Sequence, residues 1–200
     1  MTRVGIDMDG TVVHYDRLFH RLARESFGLP NEVPAEKARI RAWLRSQVNG
    51  EEKWVTLQGL AYGSEIRSAE EAPGLRTFLA GCRNRGWELH LVSHKGELSA
   101  CARKFPLRRS AWNWLHATGL VGPHAFAAGS VHFAASREEK IRAIRDLGFR
   151  LFVDDLPEIL EHPLFPRGVE RWHYIPRGAP SAKSAVAFRS WWDAAAFLGR

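Results

Sequence analysis

Asp7 and Asp9 stand two residues apart behind a short apolar run, Val4-Gly5-Ile6, and Gly10 and Thr11 follow at once in "VGIDMDGT". Two carboxylates held this closely repel each other and raise each other's pKa, so a cation is expected among them. A second apolar run, "WELHLVSHKG", reaches Ser93, with His94 and Lys95 directly behind. A third, "FRLFVDDLPE", ends in Asp154 and Asp155, and Lys140 precedes it in "SREEKIRAIRDLG". If these runs are neighbouring parallel strands, their carboxyl ends bring the acids, a hydroxyl and an ammonium to one rim. Clustered Asp oxygens are what a hard divalent cation such as Mg²⁺ requires.

Each of these residues also has a plain structural reading. Ser93 suits a turn or a helix cap, and Asp154-Asp155 suits the N-cap of a helix beginning in "LPEILE". Lys140 fits a solvated helix face, in which case the nearby Lys95 supplies the ammonium. His94 fits a substrate contact and an ordinary loop histidine equally well. Asp7 and Asp9 are the least suited to a purely structural role, because paired acids after a buried strand are costly without a cation.

The elements that would position these groups follow from periodicity. Strand-like runs cover 4–7, 88–93, either 125–128 or 131–134, 151–154 and 171–175, and helix-like runs cover 74–85, 110–117, 136–147 and 188–198. Gly86 and Gly148 fall where helix stops belong. This alternation predicts an α/β fold with a mainly parallel sheet, in which ligands bind outside the carboxyl ends of the strands. Residues 12–72 break the pattern. They are helix-like and charged, with breaks at Pro30, Pro34, Gly50 and Pro73-Gly74. The reading is a core of residues 1–11 and 73–200 with a small α-helical cap at 12–72, placed to fold over a site as a lid. A plain pair of packing helices is the alternative.

With 200 residues, 45 % of them hydrophobic and 26 % charged, the chain suits one substantial soluble domain or one domain with an insert. No apolar run approaches the roughly 20 residues of a membrane span, and acids arrive too early for a signal peptide. The expectation is a cytoplasmic protein, with Cys82 and Cys101 as buried thiols in a reducing compartment. The net charge is +7, but the arginines are scattered rather than striped, so nucleic acid is disfavoured as a partner. Trp43, Trp87, Trp112, Trp114, Trp191 and Trp192 fall in apolar-periodic stretches and read mostly as core. The sequence leaves the oligomeric state open.

Taken in order, "VGIDMDGT", "LHLVS", Lys140 and "LFVDD" resemble the four motifs of the haloacid dehalogenase-like (HAD) hydrolase superfamily, and the resemblance spans essentially the whole chain. It implies a Rossmann-like three-layer core with a first-type cap at 12–72. It implies Asp7 as the nucleophile that forms an aspartyl-phosphate, and Asp9 as the acid and then the base. Mg²⁺ would be held by Asp7, the Asp9 carbonyl, Asp154 and Asp155. Ser93, Lys140, Gly10, Thr11 and His94 are the expected phosphate-side residues. Dehalogenases and phosphonate-cleaving members of that superfamily lack an acid at the position of Asp9, so its presence favours phosphate esters. A receiver domain, which also phosphorylates an Asp beside Mg²⁺, has its acids in a different order. The expected substrate is a small phosphorylated metabolite such as a sugar phosphate, met by Arg39, Arg41, Arg45, Lys53, Trp54, Thr56 and Gln58 of the insert. A nucleotidase, a nucleic-acid-end phosphatase and a non-catalytic binding protein of the same fold are the alternatives.

Overall fold

The computed structural model describes residues 1–178 and 180–198. Its strands are β1 (Arg3–Ile6), β2 (Val13–His14), β3 (Glu70–Glu71), β4 (Glu88–His94), β5 (Val131–Ala134), β6 (Leu151–Asp154), β7 (Glu170–Tyr174) and β8 (Val186–Phe188). The α-helices are α1 (Asp16–Phe27), α2 (Lys37–Arg45), α3 (Gly50–Gly59), α4 (Leu75–Asn84), α5 (Leu107–Ala117), α6 (Arg137–Asp146), the single turn α7 (Pro157–Leu160) and α8 (Trp191–Phe197). The chain divides into two compact units: Met1–Val13 and Glu71–Lys95 with the chain from His116 onward, and His14–Glu70 with Gly96–Leu115.

The first unit is built on a six-stranded sheet in the order β5-β4-β1-β6-β7-β8, every pair parallel. Strands buried on both faces need apolar residues throughout; Val4, Ile6, Leu91, Val92, Phe152 and Val153 are fully buried. Gly5 is the exception in β1. A methyl group there would fall onto the rings of Phe149 and Phe152, so its bare Cα makes room for two aromatic side chains. On one face α6 and α7 bring Ile141, Ile144, Ile159 and Leu160 against Val92 and Phe152. On the other, Phe78 of α4 and Tyr174 and Phe188 of the sheet surround Trp191 of α8, with ring centroids 4.9, 5.5 and 5.4 Å away. Two helix layers around a parallel sheet make an α/β, Rossmann-like architecture. From β1 the chain runs outward through β4 to β5, then returns to β6 on the other side of β1. That reversal opens a crevice at the carboxyl end of β1.

The second unit packs α1, α2 and α3, continued by a π-helical turn at Leu60–Ser64, around Phe19. Trp54 stacks on Phe19 at 5.3 Å, and Tyr62 meets it edge-on at 5.5 Å. Gly96–Leu115, counted with the core by the sequence pattern, packs within this unit. Phe105 and Cys101 press directly on Gly59 and Gly63, and the Trp114 indole donates to Ala69 O at 3.2 Å. The connecting strands β2 and β3 pair as a two-stranded sheet.

Other differences from the sequence reading are local. The third core strand is 131–134, and 125–128 lies outside it with Phe126 buried. The predicted helix 188–198 starts only at Trp191, because Val186–Phe188 forms an edge strand and Ser190 with Asp193 makes a capping box. Trp192, expected in the core, is 55 % exposed, since the capped helix turns Trp191 and Ala194 inward instead. Among the described residues no helix is long and apolar enough to cross a membrane.

Candidate active site

The crevice residues come from the carboxyl ends of β1, β4 and β6 and from the first turn of α6. The Asp7 amide donates to Val153 O at 2.9 Å, which carries the β1–β6 ladder one residue past Ile6 and aims the carboxylate at the rim. The chain then reverses. The amides of Thr11, Val12 and Val13 donate to Met8 O, and the Gly10 amide donates to Val13 O at 2.9 Å. Gly10 needs its φ of 92° for this turn, a left-handed conformation that favours glycine. A Cβ there would also collide with the Asp155 carboxylate, so the bare Cα lets Asp155 lie against the turn.

Asp7, Asp154 and Asp155 each offer an oxygen, all within 4.8 Å of one another. Lys140 is almost completely buried. Its Nζ donates to Asp7 Oδ1 at 2.5 Å and to Asp154 Oδ2 at 2.7 Å. Ser136 caps α6 by accepting the Glu139 amide, which sets the helix start and so the height of Lys140 over the acids. Burial pushes the Asp7 carboxyl up to about 7, with Asp154 and Asp9 adding to the rise and Lys140 opposing it. Burial pulls the Lys140 ammonium down, but Asp154 and Asp7 outweigh that and hold it above the ordinary lysine range. The lysine therefore stays charged, and Asp7 is the group left short of positive charge.

Asp9 is partly exposed and pairs with a second lysine: Lys95 Nζ lies 3.0 Å from Oδ1 and 2.8 Å from Oδ2. Both candidate lysines are thus present, Lys140 between Asp7 and Asp154 and Lys95 on Asp9. Ser93 is fully buried and its Oγ has no hydrogen-bond partner among the described residues, a costly state for a hydroxyl that a bound group would relieve. Thr11 donates to Asp155 Oδ1 at 3.3 Å, and its carbonyl accepts the Trp191 indole N–H at 3.1 Å. Since the Gly10 and Thr11 amides are committed inside the turn, these two residues shape the loop. His94 is exposed and makes no hydrogen bond with the acids. The Tyr174 hydroxyl is pushed up to about 12 by burial, with Asp155 contributing.

The carboxyl end of the sheet therefore brings together carboxylate oxygens of Asp7, Asp154 and Asp155 with an ammonium wedged among them, and the neighbouring strand β4 carries the unsatisfied Ser93 hydroxyl near its end. Three hard anionic donors this close fit Mg²⁺ by donor type, and the bare Cα of Gly10 makes room for the Asp155 carboxylate among them.

Neither a family model nor a curated protein sequence matches the chain. Solved structures do. A HAD-superfamily hydrolase of subfamily IA from Geobacter sulfurreducens superimposes with a TM-score of 0.62 at 18 % identity, covering 100 % of this chain and 97 % of its own. The fold is that of the HAD-superfamily hydrolases. YfnB from Bacillus subtilis, assigned as a HAD hydrolase and solved bound to magnesium, has a TM-score of 0.63 at 12 % identity over 100 % and 99 % of the two chains. A Thermotoga maritima protein assigned as a β-phosphoglucomutase matches with 0.59 at 16 % identity over 100 % and 99 %. Dehalogenases share the HAD fold as well, so the fold by itself does not choose the reaction.

Sequence pattern alone marks Asp7, Asp9, Ser93, Lys140, Asp154 and Asp155. It undervalues Lys95, whose position two residues beyond Ser93 is the available signal. It misses His173, whose ring reaches Asp155 O at 3.2 Å. It also misses that the buried Trp191 indole N–H holds the Thr11 carbonyl. Neither carries a motif, because both act through backbone atoms.

Proposed function

We propose that the protein is a Mg²⁺-dependent phosphomonoester hydrolase working through an aspartyl-phosphate on Asp7. The observation that carries this reading is the buried Asp7 carboxylate, held by Lys140 with oxygens of Asp154 and Asp155 within 4.8 Å. Asp7, Asp154, Asp155 and the Asp9 carbonyl would hold the ion. When bound, Mg²⁺ supplies positive charge that offsets the phosphoryl oxygens and keeps Asp7 ionised.

The rest falls to the chain's own groups. Lys140 orients the Asp7 carboxylate and neutralises part of its charge. The Asp7 oxygen attacks phosphorus, the ester P–O bond breaks, and the proton on Asp9 passes to the departing oxygen. Asp9 then takes a proton from water, the water oxygen attacks phosphorus, and the P–O bond to Asp7 breaks. Inorganic phosphate leaves, with Asp7 ionised and Asp9 protonated again. The Ser93 hydroxyl donates to a phosphoryl oxygen, the partner that its burial otherwise denies it. Asp9 favours this chemistry over dehalogenation, because a halide leaving group needs no proton.

The substrate is read as a small phosphorylated metabolite of the sugar-phosphate kind, with His14–Glu70 as the cap that selects it. Both cysteines are free and buried, and burial pushes the Cys82 thiol up to about 12; inert thiols of this kind suit a reducing cytoplasm. Turnover of p-nitrophenyl phosphate with Mg²⁺, abolished in Asp7→Asn, is the expected result. No turnover by a well-folded, metal-loaded protein would instead favour a binding module. A panel of phosphorylated metabolites then identifies the substrate class, and selective turnover of nucleoside monophosphates would replace sugar phosphates with nucleotides.

A further inference from the structure

The structure assigns His173 as the residue that orients the metal-binding carboxylate of Asp154, acting through a single peptide unit. His173 lies on β7 directly opposite Asp154 of β6 in the parallel register, and its ring is almost fully buried. Ala182 donates its backbone N–H to His173 Nδ1 at 2.9 Å. A backbone N–H can only donate, so Nδ1 is the bare nitrogen and the ring proton sits on Nε2. Nε2–H then donates to Asp155 O at 3.2 Å. The two hydrogen bonds fix the tautomer between them, and the neutral ring satisfies both of its nitrogens.

The carbonyl so held belongs to the peptide linking Asp155 to Leu156, and the N–H of the same peptide donates to Asp154 Oδ1 at 2.9 Å. A peptide unit is planar and rigid, so its two ends cannot rotate independently. Fixing the carbonyl on His173 fixes the direction of the N–H, which pins Asp154 Oδ1 while Lys140 takes Oδ2 at 2.7 Å. Asp154 therefore meets its neighbours with a set orientation, and Asp155 leaves the strand with a set direction. Outer partners of this kind are worth about 10–100-fold in metal affinity. His173 is a positioning residue, because it touches neither the substrate nor the ion. The inference rests on the proposed metal site and not on the identity of the substrate.

The test is direct Mn²⁺ binding to the full chain, followed by electron paramagnetic resonance, in wild type, His173→Leu and His173→Gln. Glutamine can accept from Ala182 with its carbonyl and donate to Asp155 with its amide, whereas leucine can do neither. Mn²⁺ affinity is expected to fall about 10–100-fold in His173→Leu and to stay within about threefold of wild type in His173→Gln. Wild-type affinity in a folded His173→Leu, or equal loss in both variants, overturns the inference. If His173→Leu does not fold, the nitrogen-15 spectrum of the wild-type ring decides. An Nε2–H tautomer whose Nε2 signal moves on Mg²⁺ addition supports the assignment, and an Nδ1–H tautomer or an unmoved signal overturns it. Wild-type protein that binds Mn²⁺ yet hydrolyses no phosphate ester would sink the proposed reaction and leave this inference standing.

Discussion

Asp7 and Asp9, two residues apart, have different surroundings. Asp7 is buried with its oxygen on Lys140, and Asp9 is partly exposed with Lys95 across both its oxygens. Asp7→Asn is expected to lower kcat by at least about a thousandfold, since a nucleophile has no substitute. Asp9→Asn should lose about 10²–10⁴-fold while still binding metal, and a steady-state assay with a parallel Mn²⁺ titration separates the two effects. The raised Asp7 pKa has a definite sign. Its carboxyl binds a proton more readily in the folded than in the unfolded chain, so metal-free protein gains stability from this group at low pH and loses it as pH rises toward about 7. Metal binding needs the ionised form, so below about pH 7 it should release a proton and weaken as the pH falls. Calorimetry in buffers of different ionisation enthalpy measures that proton. Uptake rather than release would contradict the assignment.

At the level of elements, most of the scaffold was legible because strand periodicity and chemistry coincide. The runs ending at Asp7, Ser93 and Asp154 are mostly apolar, with Glu88 and His90 the exceptions in β4, and each delivers its polar residue near the strand's end. The edge strand Val186–Phe188 was hidden because it is only three residues long and stands directly before the cap of α8, so its short apolar run merges with the helix signal. Gly96–Leu115 was misplaced because its partners, Gly59, Gly63 and Ala69, are distant in sequence and small. His173 could not be found at all, since its partners are backbone atoms that any sequence supplies. Gly5→Ala tests the packing of the central strand. The added methyl falls on Phe149 and Phe152, and the loss of stability should be about 1–3 kcal/mol, read from chemical denaturation.

On β4 and β5, His90 Nδ1 and His132 Nε2 lie 3.2 Å apart with ring centroids 5.5 Å apart and planes within 14°. The centroid spacing matches the nitrogen distance plus two ring radii, so the rings meet edge to edge, and with both rings neutral one of these nitrogens donates to the other. Burial lowers both pKa values, with His132 lowering that of His90 further. The stabilisation from keeping both rings neutral is present above the ordinary histidine range and is lost as the pH falls through the depressed values. His132→Gln should shrink the fall in melting temperature between about pH 7.5 and 5.5; an unchanged fall would remove the pair from the account.

For the molecule as a whole, the two units divide the expected tasks. Every acid and lysine of the candidate site lies in the unit built on the parallel sheet. Replacing His14–Glu70 by a short linker should therefore leave Mn²⁺ affinity within a few-fold while discrimination among phosphorylated metabolites declines. Such a variant must also shorten 96–115, whose Phe105 and Trp114 would otherwise lose the partners that cover them. The central claim is that chain segments far apart in sequence converge to hold one divalent ion beside a single phosphoryl-accepting oxygen. Diffraction from crystals grown with Mn²⁺ and beryllium fluoride tests it most directly. One anomalous peak is expected within coordinating distance of Asp7, Asp154 and Asp155, with the fluoride adduct on an Asp7 oxygen. A peak away from those three carboxylates, or an adduct on any other residue, would contradict it.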